Sequence, residues 1–173
     1  MLIISNILGA LSDGLCGVSG LAKTKRQIIL INTVSNILGI LCDLIIGGYT
    51  AVTTLVMSCI GELLNYKKER GKLYSTVYVI VLIIISTIFS TNGLIDALPV
   101  IANAEYIVVV SCTKETIHTK MALLVNTMLW CIFNISFRLY ASAIIEIICI
   151  IIIFSKIVMY YKSKSYTENS ELD

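Results

Sequence analysis

Trp130, Asn134, Arg138, Ser142 and Glu146 recur every fourth residue through a stretch that is otherwise largely isoleucine, leucine and phenylalanine. A charged group at the centre of a bilayer costs about 2.5–3.5 kcal/mol on insertion scales, so such side chains turn toward a bundle interior. Steps of four advance about 400° on an α-helix, and Trp130, Asn134 and Arg138 are therefore expected as a drifting stripe on one helix. The chemistry offered is recognition, not bond making. An indole face can stack on a solute, an amide both donates and accepts, and a carboxylate holds a proton or a cation.

Two more acids interrupt apolar runs, Asp13 and Glu105. If the two halves of the chain repeat, these acids lie at similar depth and face one another, sharing a proton or a cation. The competing reading makes them structural, hydrogen-bonded across helices to Asn32, Asn36, Asn103 or Asn126, since interhelical amides are common glue in membranes. The candidate solute path is Asp13, Asn36, Glu105, Asn126, Trp130, Asn134 and Glu146. Pro99 is the candidate hinge, because it frees the carbonyl four residues earlier at Ile95. Arg138 either anchors in lipid headgroups or pairs with Asp43 or Asp96. Glu146, about one turn into the last helix, gains from the positive helix end.

The elements that position these residues follow from composition. The 173-residue chain is 57% hydrophobic and 14% charged, with a mean hydropathy of +0.91, which is too apolar for a soluble domain. Cutting at the polar clusters predicts an all-α transmembrane bundle of about seven helices. These lie near 2–22, 27–46, 49–66, 73–91, 94–113, 119–137 and 141–161, followed by a polar tail. The first run carries no positive segment before it, so it reads as a retained helix and not as a signal peptide. Its glycines, Gly9, Gly14, Gly17 and Gly20, suit close backbone approach.

Lys and Arg collect after the first, third, fifth and seventh runs, and cytoplasmic loops carry the excess of such residues. The expected orientation is N-terminus outside and C-terminus inside. "TKRQIILINTVSN" and "TKMALLVNTMLWC" share a basic entry followed by an Asn-Thr pair about one turn on. Two parallel three-helix repeats joined by one connector helix are therefore expected, with boundaries at 1–72, 73–91, 92–162 and 163–173, the last being the polar cytoplasmic tail.

Several function classes are disfavoured. The net charge is +2, and there is no basic face with interleaved aromatics, so nucleic acid is not an expected partner. The six cysteines are scattered singly with one histidine, His118, so no metal or other cofactor site is expected. No nucleophile stands beside a base, and the chain does not read as an enzyme.

"IGGYTA" from Ile46, the basic "AKTKRQ" loop, "LPVIA" from Leu98, Lys114, Lys120, "WCIFN" from Trp130, Ser142 and Glu146 together resemble the YgjV family of bacterial inner membrane proteins. The resemblance covers most of the chain and implies a multi-pass protein of the bacterial plasma membrane. That family tends to carry an arginine late in the third helix, where this chain has Glu62. The three-one-three plan is also similar to the SWEET and PQ-loop superfamily, which implies two triple-helix bundles around a solute pathway. Here Val100 stands where the glutamine of the PQ pair would be. The expected function is a small facilitator or carrier for a polar or organic-ion solute, with membrane lipids as its other partner and a homo-oligomer left open. The alternative is a non-transporting membrane scaffold or partner-binding protein.

Overall fold

The computed structural model describes residues 2–90 and 93–170, with the side chains of 3–90 and 93–163. Seven α-helices follow one another: α1 (Leu2–Leu21), α2 (Lys25–Ile46), α3 (Tyr49–Asn65), α4 (Gly71–Phe89), α5 (Ala97–Cys112), α6 (Thr116–Ser136) and α7 (Tyr140–Ser170). A short 3-10 turn, Gly93–Asp96, leads into α5. Six helical stretches are long and apolar enough to cross a membrane. The remaining helix, α3, has 17 residues, at the short end of the spanning range.

Local chemistry sets the helix ends. The Thr24 side chain accepts a hydrogen bond from the Gln27 N–H at 3.3 Å and starts α2. Gly47 ends it at a positive φ of 76°, a conformation that glycine adopts without steric cost. The end of α6 is less expected. Arg138 takes φ 60°, and the Leu139 N–H reaches back to the Asn134 carbonyl at 2.9 Å, so the chain reverses there in a left-handed cap.

That reversal corrects one expectation. Arg138 does not extend a stripe on α6 but sits exposed in the α6–α7 turn, and among the described residues it pairs with neither Asp43 nor Asp96. Pro99 also has a different setting from the one expected. It lies in the first turn of α5, where a missing N–H costs no helical hydrogen bond, so the helix starts there instead of bending. Finally, α7 does not stop near 161. It continues to Ser170 as a 31-residue helix, about 46 Å long at the α-helical rise, so the expected polar tail is helical up to that residue. The last positions of that tail, 171–173, lie outside the described residues.

The helices close a ring. Along it, α1 packs on α2, α2 on α3, α3 on α5, α5 on α6, α6 on α7, and α7 returns to α1, while α4 lies chiefly against α3 and α5. Glycines make the α7–α1 closure possible. A Cβ at Gly9 would collide with Ser142, one at Gly17 with Cys149, and one at Gly20 with Ile153. The backbones of α1 and α7 approach closely because these side chains are absent. Gly14 lies off this seam, with nothing within 4 Å of the corresponding position.

Within the ring, one half is apolar and the other polar. Ile28, Tyr106, Ile107, Val110, Leu123 and Ile153 form the buried apolar core, toward the end where Lys23, Lys25, Lys114, Lys120 and Lys156 gather. Polar side chains fill the opposite half. Gly17→Ala and Gly20→Ala are expected to lower stability by about 1–3 kcal/mol each, the usual cost of overpacking. Gly14→Ala should leave it unchanged or slightly raised, and thermal unfolding of the three purified variants in one detergent checks the contrast.

Candidate functional site

Buried polar side chains sort into those satisfied within the protein and those left open. On α2, Asn32, Asn36 and Asp43 fall four and seven residues apart and share a face. On α3, Ser58, Glu62 and Asn65, four and three residues apart, share a face likewise. The two stripes meet at Glu62, which is fully buried. Its Oε1 accepts the Asn32 amide, and its Oε2 accepts the Thr33 hydroxyl at 2.7 Å and the Asn36 amide at 3.2 Å. Among the described residues no cation is paired with it. Three neutral donors instead tie α3 to α2, so Glu62 is a staple between helices.

A second staple joins α1 to α2. Ser12 Oγ donates to the Ser35 carbonyl at 2.8 Å, and Ser35 Oγ returns the bond to the Ser12 carbonyl at 2.7 Å. A third closes the basic end. Lys25 is 8% exposed, and its ammonium donates to Glu69 at 3.0 Å and to the carbonyls of Val110 and Thr113 at 2.7 and 2.6 Å. Those carbonyls belong to the C-terminal end of α5, where a cation meets the negative end of the helix. Nearby, Asn65 donates to Ser111 Oγ at 3.1 Å and adds a second link from α3 to α5.

One group of polar side chains not tied off in this way lies in the other half, around a cavity of about 50 Å³. One water needs roughly 10–15 Å³ on this measure, so the space holds a few waters or a small ion but not a sugar. Its acids are Asp13 from α1, Asp43 from α2 and Glu146 from α7, and no Lys or Arg lines it. These three carboxylates lie within electrostatic reach of one another. Among the described residues none is in an ion pair. Glu146 accepts the Asn134 amide at 3.0 Å, across the hairpin that Arg138 creates. The fourfold spacing of the sequence thus survives as a contact between two helices and not as a stripe on one.

Asp13 Oδ2 and Ser142 Oγ are both buried and face one another, and neither has a hydrogen-bond partner elsewhere in the protein. Both residues line the cavity. A buried polar atom left without a partner costs about 1–3 kcal/mol, so these two mark where water or a ligand belongs. Trp130 forms part of the wall, held by an edge-on contact with Phe133 at 5.3 Å between ring centres.

Of the residues expected on a solute path, Asp13, Asn36, Asn126, Trp130, Asn134 and Glu146 come together at this cavity. Glu105 does not. It follows Asn103 by two residues, about 200° around α5, and Asn103 faces inward, 3.5 Å from the Asn126 amide. The expected Asp13–Glu105 pair is therefore replaced by Asp13 with Glu146 and Asp43. Asp43 was expected only as a partner for Arg138. The seven-residue step from Asn36 is the signal that places it on the inner face.

A ring of long apolar helices around a buried polar cavity defines a multi-pass integral membrane protein. The model of the Imp-YgjV family, described as bacterial inner membrane protein, matches residues 3–164, and the chain belongs to that family. Its location is accordingly the bacterial inner membrane. No curated protein and no solved structure matches it.

The basic-end tie is open to a direct test. The Glu69 carboxylate is held below its ordinary range by its own backbone N–H and by the Lys25 ammonium. A group with a lowered folded value contributes stability above its unfolded range, and that contribution is lost as pH falls through the folded value. Thermal stability of the wild type should therefore fall on acidification through the carboxylate range by a small increment that Glu69→Gln lacks. The increment is small because Glu69 is largely solvated.

Proposed function

We propose that the protein is a small-solute facilitator or carrier of the inner membrane, with the central cavity as its solute site. The observation that carries this reading is the pair of buried atoms, Asp13 Oδ2 and Ser142 Oγ, that meet at that cavity and have no partner beyond one another. Other buried polar groups are tied off, as at Glu62 and at Ser12 with Ser35, while Tyr74, Tyr78, Ser86, Glu105 and Tyr106 each bury an unpartnered oxygen away from this cavity. A scaffold that used polar groups only to lock helices would gain nothing from leaving these two open.

The arrangement of helices supports alternating access. Exchanging α1, α2 and α3 with α5, α6 and α7 reproduces the neighbour pattern, since α1–α2 maps onto α5–α6, α2–α3 onto α6–α7, and α3–α5 onto α7–α1. Two triple-helix bundles related in this way would rock about a site between them, as in transporters with parallel repeats. The basic end is shut by the apolar core and by Lys25, whose bonds run from α2 to α5 and so join the two bundles. Opening toward that end requires Lys25 to release the Val110 and Thr113 carbonyls. The chemical character of the cavity suits a small polar or charged solute.

Native Cys16 and Cys42 line the cavity, so single cysteines belong in a background without them. Trp130→Cys should react with a membrane-impermeant thiol reagent, and Leu82→Cys, in the fully buried core, should not. Lys25→Ala should open Trp130→Cys to reagent added on the basic side. Silence of Trp130→Cys from both sides, in protein that passes for folded by its melting curve, would favour the scaffold.

A further inference from the structure

The cavity gathers three carboxylates, Asp13, Asp43 and Glu146, without a basic side chain among its lining residues. Two of them are nearly inaccessible, Asp43 at 3% and Glu146 at 2%. A fixed Lys or Arg would be the ordinary counter-ion for such groups, and its absence from the lining leaves the role to a shared proton or to a cation that enters. Ser142 supplies an independent sign. It is 0% exposed, its Oγ meets no polar group of the protein other than Asp13, and it lines the same space. Gly9 sits directly against it, and any larger residue there would displace the hydroxyl.

The kind of cation follows from the geometry. Among the described residues no three acidic, histidine or cysteine side chains are gathered closely enough to hold a metal ion. The carboxylates come from three different helices and surround the space instead of converging on a point. A ligand that presents several N–H donors in different directions suits this arrangement, because each charge-assisted N–H to carboxylate bond can run to a different helix. The indole of Trp130 supplies the aromatic face on which ammonium and guanidinium groups rest. The small volume limits the ligand to a few heavy atoms.

We propose that this cavity binds a small organic cation of the ammonium or guanidinium type, bridging Asp13, Asp43 and Glu146, donating to Ser142 Oγ and resting on Trp130. The inference rests on the carrier reading and names its substrate class.

Trp130 is the chain's one tryptophan, so intrinsic fluorescence of the purified full-length protein in detergent reports on the cavity wall. Guanidinium chloride and methylammonium chloride are titrated in the millimolar range, far below denaturing concentrations. Sodium chloride serves as the alkali-ion control, and urea as the uncharged counterpart of guanidinium. A saturable change is expected with one or both organic cations and with neither control. Asp13→Asn and Glu146→Gln should each weaken it at least tenfold and Ser142→Ala several-fold, with Glu105→Gln leaving it unchanged. Melting curves identify any variant that has lost its fold, and the two carboxamide variants are independent of one another.

Equal saturable responses to urea and guanidinium would overturn the inference, as would a saturable response to sodium. So would a guanidinium response that survives both carboxamide changes. Quenching by neutral acrylamide separates the two levels of the proposal. If acrylamide reaches Trp130 but no organic cation binds, the cation is wrong and the wet cavity stands. If acrylamide cannot reach Trp130, the carrier reading falls with it.

Discussion

Hydrocarbon supplies no hydrogen bonds, and the rest of this structure depends on that fact. Every polar side chain carried into the bilayer must find its partner within the bundle or in a space that water can occupy. The protein uses both solutions. Glu62 with Asn32, Thr33 and Asn36 is a closed set, complete without solvent. Asp13, Asp43, Glu146 and Ser142 form an open set around a cavity. Replacing a closed set by apolar residues of similar shape would make much the same helix contact, whereas in the open set only Glu146, through Asn134, is tied to a neighbouring helix by a side-chain amide.

Placing the open set requires the ring to close between its first and last helices. Asp13 is on α1 and Glu146 on α7, more than 130 residues apart in sequence, and they share a cavity because α1 and α7 approach to backbone contact. The seam of Gly9, Gly17 and Gly20 against Ser142, Cys149 and Ile153 permits that approach. Additional bonds hold it in register: Cys149 Sγ donates to the Asp13 carbonyl at 3.5 Å, and the Ala141 N–H donates to Asn6 Oδ1 at 3.1 Å. The second of these also satisfies a free amide at the start of α7. Small residues thus act twice here, by bringing helices together and by leaving Ser142 the room it occupies.

The two ends of the ring are chemically unequal. At the basic end, Lys25 caps the α5 carbonyls and the apolar core fills the centre, so nothing polar passes without disrupting packing. In the other half the interior is lined by acids and amides. On the carrier reading proposed above, an interior blocked at one end and polar at the other would be one conformation of a pathway, and the tie that blocks it runs between two elements that would have to part. Lys25 reads in the sequence as one more topology-setting charge, yet it is buried and committed to α5.

Much of this was legible beforehand. Seven helices, their approximate ends and the membrane location follow from the spacing of polar clusters along an apolar chain, because the bilayer demands about 20 apolar residues per span whatever they pack against. Six of the expected path residues also meet at the cavity, since a costly side chain within a span has few places to go but inward. What the amino-acid order left undecided was which inward groups meet. The fourfold run from Trp130 to Glu146 is the same whether one helix carries it or a turn at Arg138 folds it back, and only the left-handed cap brings Asn134 onto Glu146. Glu105 and Asp13 occupy comparable depths in their helices, but depth does not determine azimuth, and the rotation of α5 about its axis is set by the packing of Tyr106 and Ile107. Helical periodicity is a local property of the backbone and can be read residue by residue. The partner a buried polar group finds depends on how whole helices rotate and approach, and that is decided only when all their packing surfaces are satisfied together.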